Sequence, residues 1–204
     1  MITILDYGSG NISAIVRLAK LSNVETRVAT GPADLADARH ILLPGVGAFD
    51  RTMEAFVSSG LAGALTARLE HPDVWCLGIC VGMHVLANGS DEGSRSGLGL
   101  IPGHVRRFRD EDIAEKPRIP HMGWNTLETV RPHRLLEGLD AAQGFYFLHG
   151  YRYACDTDND VIATSTHGKA FHSVIGRGRV LGVQFHPEKS HDNGVRLIGN
   201  FLAL

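Results

Sequence analysis

Three cysteines in 204 residues, at positions 76, 80 and 155, are too few and too unevenly spaced for a disulfide framework. The pattern points to free thiols in a reducing, cytoplasmic setting. No apolar run is long enough to cross a bilayer. No basic-then-apolar leader pattern stands at the start either, because Asp6 interrupts the first apolar run. The formal net charge is only -2, so no global field draws the chain to nucleic acid or to an acidic membrane. The basic run Arg106-Arg107-Phe108-Arg109 is cancelled at once by Asp110, Glu111 and Asp112 and reads as a solvated loop. Internal repeats, low-complexity tracts and linkers are missing too, so residues 1–204 read as one domain with a core of ordinary size.

What is present is an α/β pattern. In the first half, short apolar runs alternate with amphipathic ones, as in parallel sheets flanked by helices. Residues 2–5 predict a buried strand ending at the turn Asp6-Tyr7-Gly8-Ser9-Gly10. Asn11 then caps a helix whose Ile12, Ile15, Val16 and Ala19 share a face. Residues 41–43 predict a central strand halted by Pro44-Gly45-Val46-Gly47, with helices over 49–58 and 61–70. A strand over 74–79 runs into Cys80, and 83–87 reads as helical. The second half gives short strands over 145–147, 161–164 and 180–185 between polar turns, then a helix over 194–203. The expected fold is a mostly parallel central sheet flanked by helices, with a smaller antiparallel part in the second half.

Gly78-Ile79-Cys80-Val81-Gly82 has the spacing of a nucleophile elbow with sulfur in place of oxygen. A side chain at the apex of a strained strand-to-helix turn needs glycine two residues to either side, so that backbone segments can pass closely. A helix N-terminus beneath the sulfur favours its thiolate form. The Val81 amide follows directly and is placed to donate into an oxyanion hole. Cys76 and Cys155 lack such flanks and read as small core residues.

His186-Pro187-Glu188 ends a late strand with an imidazole and a carboxylate two residues apart. Pro187 is expected to hold the link extended, so that both side chains project from one strand end. A cysteine hydrolase needs an imidazole to take and return the proton, and an acceptor to fix the ring's tautomer. His, Glu and Cys also bind zinc, but no paired CxxC or HxxxH spacing supports a tetrahedral metal set. Gly8-Ser9-Gly10 suggests a nucleotide module, yet Ser13 occupies the place of the third glycine of that fingerprint. Some cysteine peptidases and glyoxalase-like proteins put a histidine after the nucleophile, where this chain has Val81.

Taken together, Gly78-Ile79-Cys80-Val81-Gly82-Met83 and Gly182-Val183-Gln184-Phe185-His186-Pro187-Glu188 resemble a class I (triad-type) glutamine amidotransferase. Four further segments begin at Asp6 (Asp6-Tyr7-Gly8-Ser9-Gly10-Asn11), Pro44 (Pro44-Gly45-Val46-Gly47-Ala48-Phe49), Pro120 (Pro120-His121-Met122-Gly123-Trp124-Asn125) and His186 (through Lys189-Ser190). They are similar to the glutaminase subunits of imidazole glycerol phosphate synthases. The resemblance covers nearly the whole chain.

It implies hydrolysis of L-glutamine through a thioester on Cys80, with His186 as acid and base and Glu188 steadying the ring. The oxyanion hole would join the Val81 amide to one from Val46 or Gly47. Gly45, Glu92, His149, Gly150 and Tyr151 would line the glutamine pocket, with Glu92 meeting the substrate amino group. Ammonia would pass to a (β/α)8-barrel cyclase/synthase subunit in a heterodimer serving histidine synthesis. Asn11, Met122, Trp124 and Lys189 would face that partner. No metal or organic cofactor is implied.

Two positions depart from the family pattern. His84 stands where a substrate-holding glutamine is usual and is expected to leave a reduced but real glutamine affinity, and Gly150 replaces a small hydroxyl residue. Glu188-Lys189-Ser190-His191 and Asn200-Phe201 are also similar to the tails of paralogues that feed ammonia to synthases amidinating bacterial surface sugars. A catalytically silent binding subunit would carry the same residues.

Overall fold

A computed structural model describes the chain from Met1 to Leu204, apart from Glu115 and Pro117. The first half runs β1 (Ile2–Leu5), α1 (Ile12–Leu21), β2 (Thr26–Ala29), β3 (His40–Gly45), α2 (Phe49–Ser58), α3 (Leu61–Leu69), β4 (Trp75–Cys80) and α4 (Val81–His84). The second half adds β5 (Gly89–Ser90), β6 (Gly103–Arg107), β7 (His121–Asn125), β8 (Glu128–Thr129), β9 (Phe145–His149) and β10 (Tyr151–Cys155). It closes with β11 (Val161–His167), β12 (Lys169–Arg177), β13 (Val180–Val183) and α5 (His191–Leu202).

One sheet carries eleven strands in the order β2-β1-β3-β4-β13-β12-β10-β6-β5, with β11 on β12 and β8 on β11. The strands from β2 to β13 are parallel, and antiparallel pairing begins where β12 meets β13. β7 and β9 form a separate antiparallel ribbon. Every residue of β1 is buried, as are all but the first of β3 and β4, so both faces of the parallel part are covered. The helices do the covering: α1 turns Ile15, Leu18 and Ala19 inward, and α5 turns Leu197, Ile198 and Phe201 inward. Asn11 caps α1 by accepting from the Ala14 N–H at 3.3 Å. Among the described residues, no helix is long and apolar enough to cross a membrane.

Four local readings differ from the expectation. β3 continues through Pro44 and Gly45, paired with Ile79 and Cys80 of β4. Pairing with β1 ends at Leu42, so the missing proline N–H breaks no ladder on that side. α4 starts directly after Cys80 and is a single turn, not a helix over 83–87. The carbonyls that would extend it are taken from elsewhere: Val85, Leu86 and Ala87 accept from the amides of Leu98, Ile101 and Gly99. Arg106 and Arg107 lie on β6, paired with β10, rather than in a loop. Their side chains are exposed, so their charge never opposes the strand. Pro187 opens a 3₁₀ turn, Pro187–Lys189, where an extended link was expected. Its fixed φ suits the first position of such a turn.

Candidate active site

Cys80 sits where the carboxyl end of β4 turns into α4, with φ 55° and ψ -114°. A non-glycine residue pays for that conformation in strain, of order 1–3 kcal/mol. The flanking glycines make the turn possible. A Cβ on Gly82 would stand 1.7 Å from the Leu43 carbonyl oxygen, and one on Gly78 would stand 2.5 Å from the Gly82 oxygen. Gly45 belongs to the same contact, since its Cβ would lie 2.5 Å from the Gly82 nitrogen. Gly45 therefore spaces the backbone behind the pocket and is not part of its wall. The Tyr7 hydroxyl donates to the Pro44 carbonyl at 2.5 Å and pins the end of β3.

β13 lies next to β4, with Val183 opposite Ile79, so the residues after β13 arrive beside Cys80. His186 is buried, its ring Nδ1 2.9 Å from the buried Glu188 carboxylate. The 3₁₀ turn curls that carboxylate back beneath the ring. A carboxylate accepts only, so Nδ1 carries a proton. Burial works to lower the pKa of His186, but its hydrogen bonds and charge interactions with Cys80 and Glu188 outweigh it and raise the pKa to about 10. The imidazole thus holds its proton well past neutrality, as an imidazolium beside sulfur requires. The backbone of His186 is fixed as firmly: its N–H donates to the Tyr146 carbonyl, and its carbonyl accepts from the Ser190 hydroxyl at 2.6 Å.

The Val81 amide opens α4, and first-turn amides have no partner inside their own helix. Val46 is disposed differently. Its N–H donates to the Ser9 hydroxyl at 3.1 Å, and that hydroxyl donates to the Val46 carbonyl at 2.9 Å. The Val46 amide is thus turned onto Ser9. Gly47 next to it has φ +94° and open space around its α-carbon, so this peptide has room to rotate.

These groups line a cavity of about 340 Å³. Of the expected site residues, Asn11, Val46, Gly47, Cys80, Val81 and His84 line it from the first half of the chain, together with Glu92. His149, Gly150, Tyr151, His186, Glu188 and Lys189 line it from the second half. Glu92 accepts from the Phe49 amide at 2.9 Å at the start of α2, and burial raises its pKa. Met122 and Trp124 stand apart on β7, 60% and 46% exposed, with Trp124 stacked on His191 at 5.2 Å. Lys189 lies 5.2 Å over the Tyr146 ring. Leu148 and Pro120 on the cavity wall were not expected, nor were Ser9 beside Val46 and Gln184 beside Cys80. Gln184 had one available signal: it stands two residues before His186, on the same side of an extended segment. No group of three His, Cys, Asp or Glu among the described residues is placed to hold a metal.

Buried His84 and His149 line the cavity, His121 is hydrogen-bonded to His149, and the tautomers of this pair follow from its partners. His149 Nδ1 faces the Tyr151 carbonyl at 2.7 Å and must donate, leaving Nε2 to accept from His121 Nδ1 at 3.0 Å. His121 Nε2 then accepts from Asn125 at 3.2 Å. Burial lowers the pKa of His84 and of His121 to about 4 and holds that of His149 well below its ordinary value. The unfolded rings would take up protons near pH 6.5, so between pH 6.5 and about 4 the unfolded chain binds more protons than the folded one. Stability from these rings is therefore complete above pH 6.5 and lost as pH falls, by roughly 2 kcal/mol each for His84 and His121 at pH 5. His186, with its raised pKa, works the other way and loses stability as pH rises from 6.5 toward about 10. The urea midpoint is expected to peak near pH 6.5 and to fall clearly by pH 5. A midpoint that stays flat between pH 7 and pH 5 would contradict the burial of neutral rings.

Residues 3–203 match the family model described as glutamine amidotransferase class-I. A Leptospira interrogans protein named imidazole glycerol phosphate synthase subunit HisH is 41% identical over 204 residues, covering 100% of both chains. A protein of the same name from Bdellovibrio bacteriovorus is 45% identical over 201 residues, 98% of each chain. A solved structure described as a crystal structure of glutamine amidotransferase matches with a TM-score of 0.74. Its identity is 19%, over 99% of this chain and 97% of its own, which speaks for the fold alone. With a family model spanning nearly its whole length and full-length relatives above 40% identity, the chain belongs to the class-I glutamine amidotransferases.

Proposed function

We propose that this chain hydrolyses L-glutamine to glutamate and ammonia with Cys80, His186 and Glu188, and hands the ammonia to a (β/α)8-barrel synthase subunit in a heterodimer serving histidine synthesis. The observation that carries the chemistry is the buried His186, set between Cys80 and Glu188 on the wall of a cavity. The Cys80 thiolate attacks the carboxamide carbon, and the carbonyl π pair moves onto oxygen near the Val81 amide. The tetrahedral intermediate collapses, the C–N bond breaks, and the His186 imidazolium gives its proton to the departing nitrogen. His186, now neutral, takes a proton from water as the hydroxide adds to the thioester. Breaking the C–S bond returns the thiolate and releases glutamate. Glu188 keeps the ring in one tautomer throughout. The thiol must stay reduced, which suits a cytoplasmic setting; all three cysteines are free.

The relatives' name supports a synthase partner. Met122 and Trp124 on β7, with Asn11 and Lys189 at the cavity, offer the surface for it. With the Val46 amide turned onto Ser9, one oxyanion donor is absent from the resting hole. Partner docking would rotate that peptide. The test is ammonia release from glutamine by the chain alone and with a histidine-pathway barrel subunit plus its nucleotide ligand. Recovery of one oxyanion donor predicts stimulation of about 10²-fold, and Ser9→Ala should raise the unstimulated rate and shrink that factor. Equal rates with and without the barrel subunit would overturn the assigned partner.

A further inference from the structure

His84 and Gln184 are polar side chains enclosed next to the sulfur, 2% and 0% exposed. His84 closes α4, one turn beyond Cys80, and Gln184 follows β13 directly. His84 Nε2 stands 2.7 Å from Gln184 Oε1, and Gln184 Nε2 stands 4.0 Å from Cys80 Sγ, at the outer limit of a nitrogen–sulfur hydrogen bond. A buried carboxamide is costly unless both of its ends are engaged. Here the oxygen meets an imidazole and the amino group meets the sulfur.

The carboxamide's orientation sets the tautomer of the ring. An oxygen opposite His84 Nε2 can only accept, so Nε2 carries the proton and Nδ1 is bare. Among the described residues, Nδ1 has no partner. The reversed carboxamide would set an oxygen lone pair, in place of an N–H, against the sulfur.

We propose that His84 is a positioning residue for the nucleophile, acting through Gln184: its N–H clamps the Gln184 carbonyl and thereby aims a carboxamide N–H at Cys80. The inference rests on reading Cys80 as the glutaminase nucleophile. Its effect belongs to thiolate formation and kcat, whereas a direct substrate contact by His84 would act on KM. Burial holds the His84 pKa to about 4, so the neutral ring this arrangement needs persists at neutral pH.

The experiment is alkylation of the intact chain by iodoacetamide across pH, followed on the peptide carrying Cys80, for wild type, His84→Leu, Gln184→Leu and the double variant. Losing a hydrogen bond to a charged group predicts that each single variant raises the alkylation midpoint by about one pH unit, a roughly tenfold slower reaction below it. The double variant should shift no further than either single one, because both break the same path. An unchanged midpoint in His84→Leu, or additive shifts, would overturn the proposal. So would an unchanged midpoint accompanied by a raised KM for glutamine. Should the leucine variants fail to fold, nitrogen-15 NMR of the wild-type His84 ring decides: protonated Nε2 is expected, and protonated Nδ1 would be contrary. Neither the alkylation nor the NMR readout needs glutamine. A chain that releases no ammonia yet shows the coupled shift would refute the glutaminase reading and leave the clamp standing.

Discussion

Cys80→Ala is expected to lower ammonia release from glutamine by on the order of 10⁵-fold, to the residual rate left by binding and the oxyanion donors. The chain should stay folded. Cys80 fills a small volume in a contact held mainly by glycines and backbone, and truncating so small a buried side chain costs about 1 kcal/mol. Cys80→Gly separates stability from activity more sharply. Its backbone sits at φ 55°, where only glycine is free of strain, so the glycine variant should be as inactive and also more stable than the alanine variant by about 1 kcal/mol or more. Urea midpoints of the two variants beside their ammonia release decide the matter. A Cys80→Ala protein that still releases ammonia at a tenth of the wild-type rate would remove Cys80 from the mechanism. A glycine variant less stable than the alanine one would contradict the strained turn.

Gly82→Ala should be the most damaging single methyl group in the molecule. Its Cβ would stand 1.7 Å from a carbonyl oxygen of β3, a central strand buried after its first residue that cannot retreat without breaking its pairing with β4. The expected cost is more than about 5 kcal/mol, against a total stability of about 5–15 kcal/mol for an ordinary domain, so the variant should be insoluble or unfolded. Gly199 supplies the control. It lies within α5 with nothing within 4 Å of its would-be Cβ, and Gly199→Ala should stabilise by about 1 kcal/mol. A soluble Gly82→Ala protein with a wild-type urea midpoint would mean that α4 does not press on β3.

What could be read in the chain and what could not divide along a physical line. The elbow was legible because close backbone passage leaves glycine no substitute, so Gly78 and Gly82 mark Cys80 by spacing alone. β1, α1 and α2 were legible because buried strands and one-faced helices write their period into consecutive residues. The length of α4 was not. The carbonyls just beyond it, of residues 85–87, are taken by amides of residues 98–101, more than ten residues away, and no local pattern records that competition. The 3₁₀ turn at Pro187 was misread as extended because a proline φ suits both conformations, and only Glu188 returning to His186 decides between them. The oxyanion loop was expected from its glycines, but its attachment to Ser9 joins residues 37 positions apart. The Gln184–His84 pair spans 100 positions, a relation visible only once β13 lies beside β4.

The contact between Gly45 and Gly82 has a mechanical consequence for that loop. Main chain lies against main chain there, with the Tyr7 hydroxyl holding the Pro44 carbonyl close by. The end of β3 is thus clamped and cannot press closer to the sulfur. Beyond the clamp, the peptide at Val46 can still turn about the chain axis. The loop is a swivel rather than a sliding bolt, and a swivel can present or withdraw one N–H while every other atom around the sulfur keeps its place.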